Sequence, residues 1–204
     1  MLFNCPLSPQ KADQLIQALN LSAVDRVLDV GCGTGEFLIR LVEQTGASGL
    51  GIDIAPDLIT QAQEKVAERL PNSSIEFRTE NAAEGLPGPP FDTAICMGST
   101  YAFGRGQDAY PNALAALQKA VRPRGQILIG ETYWKQHPDH DYVEFIGDPV
   151  GIYNSHAENI EQAEKMGLVP LYALTANLDE WDHFEWERIL KLEQEAVGRR
   201  QEPA

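Results

Sequence analysis

A chain of 204 residues fits one domain and can bury a substantial core without disulfides or a structural metal. Its formal net charge of -14 disfavours binding to nucleic-acid phosphates or to anionic membrane surfaces. Cys5, Cys32 and Cys96 form no CxxC pair, the N-terminus lacks the apolar core of a secretory leader, and no apolar run reaches bilayer length, so a cytoplasmic setting with reduced thiols is expected.

Helix and strand signals then alternate along the chain. Ser8-Pro9 caps a helix whose Leu15, Ile16 and Leu19 share one face. Residues 26–30 (RVLDV) read as a buried strand running into a glycine cluster, followed by a helix over 36–44. A second strand over 49–54 leads to a helix from Pro56 to about Leu70, and a third strand covers 74–79. After a Pro/Gly-rich loop at 85–90 come a fourth strand (91–97), a helix (109–121), a turn at Pro123-Arg124-Gly125 and a fifth strand (126–132). Residues 134–154 are polar and aromatic with little periodicity, which suggests an inserted lid. Ser155 and Glu158 form a capping box opening a helix that stops at Gly167; a sixth strand is predicted over 169–175 and a long charged helix over 179–198. This alternation predicts a single α/β domain over 1–204. Its sheet is expected to be doubly wound, mostly parallel and Rossmann-like, of about six strands, with helices on both faces and one exposed edge. Ligands of such sheets bind outside the carboxyl ends of the strands.

Two features lie at those ends. Gly31, Gly33 and Gly35, in VLDVGCGTG, allow a tight turn and close backbone approach to a ligand. The spacing departs from the G-x-G-x-x-G dinucleotide fingerprint, which would require glycine where Glu36 stands. Asp53 ends the second strand, where a carboxylate can accept hydrogen bonds from both hydroxyls of a ribose; capping of the helix at Pro56 is the competing role.

The ordered set VLDVGCGTGEF (27–37), GIDI (51–54), ENAAEGLP (80–87), FDTAICMGS (91–99) and RPRGQILIGE (122–131) resembles the class I S-adenosylmethionine (SAM)-dependent methyltransferases. The resemblance covers roughly residues 8–176 and implies SAM as cofactor. It places Gly31, Cys32, Gly33, Thr34 and Gly35 along the methionine part and Asp29 at the loop or the amino group. Asp53 would take the ribose, Ile54 one adenine face, Asn81 and Ala82 the adenine edge, and Met97, Gly98 and Ser99 the space beside the departing methyl. Members often carry Asp at the position of Asn81, and the [DN]-P-P-[FY] tetrapeptide of nucleic-acid and protein amide/amine methyltransferases is replaced by Met97-Gly98-Ser99-Thr100. Members also usually have a seventh, antiparallel strand, for which no segment is evident here.

The acceptor side is less legible. Tyr101, Phe103, Tyr133 and Trp134 can wall an acceptor pocket or pack the lid. Glu131, His137, His140 and Tyr101 are the candidate catalytic groups, the two histidines equally at home in a solvated loop. The His137–Asp141 stretch has the donors of a metal site, but its spacing fits none, and no metal is expected. The expected activity is methyl transfer to a small molecule, without nucleic-acid or membrane partners. Oligomerisation could use the sheet edge or the last helix. The rival readings are a protein methyltransferase, a non-catalytic SAM-binding protein and, although Glu36 speaks against it, an NAD-dependent oxidoreductase.

Overall fold

The computed structural model describes residues 2–88, 90–146 and 152–201. The elements follow in order: α1 (Pro9–Leu19), β1 (Arg26–Val30), α2 (Glu36–Thr45), β2 (Ser48–Asp53), α3 (Pro56–Arg69), β3 (Ile75–Thr79), β4 (Phe91–Met97), α4 (Ala109–Ala120), β5 (Val121–Gly130), α5 (His140–Ile146), α6 (His156–Lys165) and α7 (Leu178–Gln201). Short 3-10 turns follow β3 (Ala82–Glu84) and β4 (Thr100–Phe103). Five strands pair in parallel in the order β3-β2-β1-β4-β5. The order reverses direction at β1, so the β1 and β4 tips flank the crevice where such folds bind ligands.

Side-chain alternation along the strands splits the core into two layers. Val27 and Ile95 face Leu15 and Ile16 of α1, Leu38 and Leu41 of α2, and Ile59 and Ala62 of α3. Leu28, Val30, Ala94 and Cys96 point the other way, onto Leu117 and Ala120 of α4. The sheet is thus covered on both faces, as its near-continuous apolar strands require. Ser8 caps α1 through the Lys11 N–H, and the Ser155–Glu158 capping box opens α6.

Three expectations are corrected. Residues 169–175 pair with no strand, so the sheet has five strands among the described residues rather than six. A strand exists only with a ladder partner, and here Val169 and Leu171 are both 77% exposed. The turn at Pro123-Arg124-Gly125 is drawn into β5 as an irregularity: Arg124 has φ 66°, and pairing jumps from Phe91–Val121 to Thr93–Gln126. β5 ends at Gly130, leaving Glu131 and Thr132 beyond the strand. The stretch 134–154 contains helix α5; residues 147–151 lie outside the described residues.

Candidate functional site

The loop from β1 to α2 is built by its glycines. Gly31, Gly33 and Gly35 have φ of 70°, 54° and 72°, a region costly for residues with a side chain. A Cβ on Gly31 would lie 2.2 Å from Ser99 Oγ, and one on Gly35 would lie 2.4 Å from the Phe77 ring. At Gly33 a Cβ would meet nothing within 4 Å, so that backbone borders open space. The Gly31 and Cys32 N–H groups donate to the Ile52 carbonyl at 2.8 and 3.0 Å, fastening the loop to β2.

Asp53 closes the arrangement from the β2 tip. Its Oδ2 accepts the Gly33 N–H at 2.9 Å and its Oδ1 accepts the Ala55 N–H at 2.9 Å. The carboxylate therefore fastens both the glycine loop and the entry to α3, and each oxygen keeps a further lone pair for a ligand hydroxyl. Ile54 beside it is 67% exposed, an apolar face with no protein cover. Asn81 caps the following turn: its Oδ1 takes the Ala83 N–H at 3.1 Å and its amide donates to Glu84. Ala82 holds the first position of that turn, where a backbone N–H has no partner within the turn. Met97 ends β4, Gly98 follows with φ 70° and an N–H bonded to the Gly130 carbonyl, and Ser99 is buried against Gly31.

Asp29 is the most unusual group of the crevice. It is 4% exposed, and no hydrogen bond to its carboxylate from another described residue is seen. Burial, and after it the negative charge of Asp53, push its pKa up to about 7. A buried carboxylate in that position is relieved by a cation. Cys32 in the loop is pushed far up by burial and by Asp29 and Asp53, so it is a packed thiol rather than a reactive thiolate.

On the acceptor side, Glu131 projects beyond β5, half-buried, with its pKa raised by burial. Thr100 donates to its Oε2, and the Thr132 N–H donates to its Oε1 at 2.7 Å. Tyr110 stands within its field, and burial followed by that negative charge pushes the phenol up to about 12. The remaining candidates lie apart from this group. Tyr101 is 74% exposed, and His137 and His140 stand in the exposed segment leading into α5. Trp134 packs edge-on against Tyr142 and Tyr153, and Tyr133 against His156. No group of three or more His, Cys, Asp or Glu residues among those described could hold a metal ion.

Two contributors are invisible in the motif. Glu36, where a dinucleotide site would need glycine, is buried and held by Lys65 at 3.1 Å and Arg69 at 2.8 Å, both from α3. Lys65 also donates to Thr34 at 3.0 Å, so α3 braces the loop from behind. The N-terminal segment reaches the β4 tip: a side chain at Gly98 would come within 3.9 Å of Cys5 Cβ. The spacing of Lys65 and Arg69 by one helical turn was the one local signal of the first; nothing local marked the second.

A strand-order reversal flanked by a glycine loop and an acidic strand tip defines a Rossmann-like protein that binds a nucleoside-bearing ligand. The profile of the methyltransferase domain family matches residues 27–125. A solved SAM-dependent methyltransferase from Geobacter sulfurreducens, in complex with S-adenosyl-L-homocysteine, superposes with a TM-score of 0.88 at 27% identity, covering 99% of this chain and 80% of that one. The chain belongs to the class I SAM-dependent methyltransferases. Among sequence relatives, the YjhP protein of Escherichia coli K12 is 26% identical over 192 residues, 92% of this chain and 75% of its own length. A demethylmenaquinone methyltransferase of Bacillus velezensis is 32% identical over 123 residues, 59% of this chain and 51% of its own, so the chain spans about half the length of that relative. No helix among the described residues is long and apolar enough to cross a membrane.

Proposed function

We propose that this domain binds SAM across the tips of β1, β2 and β4 and transfers its methyl group to a small-molecule acceptor, releasing S-adenosylhomocysteine. The observation that carries this reading is Asp29: a carboxylate only 4% exposed, to which no described residue is seen to donate, in a crevice whose proposed occupant carries both an ammonium and a sulfonium. Bound SAM would supply an electrophilic methyl carbon; the protein supplies placement. Asp53 would hold the ribose with its spare lone pairs, Ile54 would cover the adenine, and Asn81 and Ala82 would meet its edge. The backbone from Gly31 to Gly35 would follow the methionine part, and Met97, Gly98 and Ser99 would border the methyl. Glu131, kept basic by burial and positioned by Thr100, is the group suited to take a proton from the acceptor. The small-molecule reading is supported by the relative named for demethylmenaquinone and by the missing [DN]-P-P-[FY] tetrapeptide.

Calorimetric titration with S-adenosylhomocysteine tests the site. Asp53→Ala and Gly33→Val should each weaken binding at least about a hundredfold while the circular-dichroism melt persists. Unchanged affinity in both variants refutes the assignment. Incubation of a cell extract with methyl-labelled SAM should put label into metabolites; label confined to macromolecules would favour a protein substrate.

A further inference from the structure

The turn after β3 carries a side-chain pair that cofactor contacts alone leave unexplained. Asp53 and Thr79 are register partners at the ends of β2 and β3, and the Glu80 N–H donates to the Asp53 carbonyl at 3.0 Å. Asn81 thus follows a residue fastened to the β2 tip, beyond the same strand ends as the exposed Ile54.

Asn81 and Glu84 are joined twice. The Glu84 N–H donates to the Asn81 carbonyl at 3.0 Å, and the Asn81 side-chain amide donates to Glu84 Oε1 at 3.1 Å. The other end of that amide, Oδ1, accepts the Ala83 N–H at 3.1 Å. Glu84 is exposed, and Arg78, the basic side chain of β3, pairs with Glu76 and Glu80 instead of with Glu84.

The two side chains differ in what they can do. An amide has one accepting and one donating end, and a half-turn exchanges them with almost no change of shape. An ionised carboxylate only accepts. Beside Glu84, the Asn81 amide is satisfied with its nitrogen toward the carboxylate. The reverse orientation sets oxygen against oxygen at Glu84 and N–H against N–H at Ala83. The end that remains toward Ala83 is therefore an acceptor, and the Ala83 N–H uses only one of its two lone pairs.

Resting on the SAM reading above, we infer that Glu84 is a positioning residue: by fixing which end of the Asn81 amide accepts, it makes the site select a 6-amino purine over a 6-oxo purine. The exocyclic amine of adenine can donate to the free lone pair of Oδ1. A 6-oxo purine brings a carbonyl to the same place and meets oxygen with oxygen, whereas an amide free to turn would donate to it. An aspartate at position 81 has two equivalent oxygens and needs no orienting, but it would stand against Glu84, like charge beside like. Asn81 and Glu84 divide the work of one carboxylate between them, the first supplying the acceptor and the second its orientation.

The test is calorimetric titration with S-adenosylhomocysteine and with S-inosylhomocysteine, which carries an oxo group in place of the purine amine. The wild type should prefer S-adenosylhomocysteine at least about tenfold. Glu84→Gln keeps the length and shape of the side chain, but its amide satisfies either orientation of Asn81, so the preference should narrow at least about threefold. Adding Asn81→Asp to Glu84→Gln supplies an acceptor that needs no partner and should return the preference to within about twofold of the wild type. A purely structural role for Glu84 would leave the ratio of the two affinities unchanged in Glu84→Gln. That result, equal binding of the two ligands by the wild type, or a double variant that stays as unselective as Glu84→Gln would overturn the inference. Failure of the wild type to bind either ligand would instead refute the SAM reading.

Discussion

Replacing Asp29 by asparagine should make the ligand-free protein more stable at alkaline pH, not less. The carboxyl is 4% exposed, and burial together with Asp53 raises its pKa from the ordinary 3.8 to about 7. The unfolded chain ionises near the lower value, whereas the folded protein keeps the proton until near the upper one. The stability this group contributes is therefore fully present below about pH 4 and is lost as pH rises through about 7. Roughly three pK units at about 1.4 kcal/mol each set an upper bound of about 4 kcal/mol, and loop relaxation that admits water to the carboxylate lowers it. The amide of the Asp29→Asn variant would keep the shape and polarity of the protonated acid without its ionisation. Urea unfolding at a series of pH values between about 5 and 8 should show the wild type losing stability relative to Asp29→Asn, with the variant ahead by about 2 to 4 kcal/mol at the upper end. Saturating SAM should remove most of the wild-type slope, because a cation beside the carboxylate favours its charged form. Parallel stability profiles for the two proteins would show that Asp29 ionises normally in the fold, and the argument from its burial would fail.

Glu36→Gln leaves Lys65 and Arg69 facing a neutral amide in a buried corner; a loss of about 2 to 3 kcal/mol is expected, read as a lower urea midpoint at unchanged m value. Gly35→Ala places a methyl 2.4 Å from the Phe77 ring at a φ of 72°. It should cost at least about 2 kcal/mol, of which Phe77→Leu restores only the steric part. Tyr101→Ala removes a ring that is 74% exposed; the melting temperature should correspond to a change within about 0.5 kcal/mol, and a larger drop would mean that the ring packs against the lid.

Most of the glycine-loop geometry was legible because its information is local. VLDVGCGTG places a buried strand, a turn that demands positive φ and a helix start on consecutive residues, and Asp53 ends the next strand. What escaped depends on partners remote in the chain. Residues 169–175 carry a strand's composition, but composition does not supply a ladder partner, and the segment pairs with none. The bracing of Glu36 spans 33 residues to Arg69, and the strap over the β4 tip depends on Glu180, 172 residues from Ser8. Trp134, which could wall an acceptor pocket or pack the lid, meets Tyr142 and Tyr153, contacts that its local sequence does not specify. Asn81 illustrates a finer ambiguity, since the same amide that can meet an adenine also closes its own turn.

The Asp53 carboxylate already tethers Gly33 on one side and Ala55 on the other. In the proposed site, drift at that position would not simply retune sugar preference; it would also slacken the bend proposed to follow the opposite end of SAM. Adenosine alone and methionine alone should each find a partly finished receptor, and fragments offered together should help one another. If the proposed site holds, exchanging the nucleoside for another would require rebuilding the sulfur end as well.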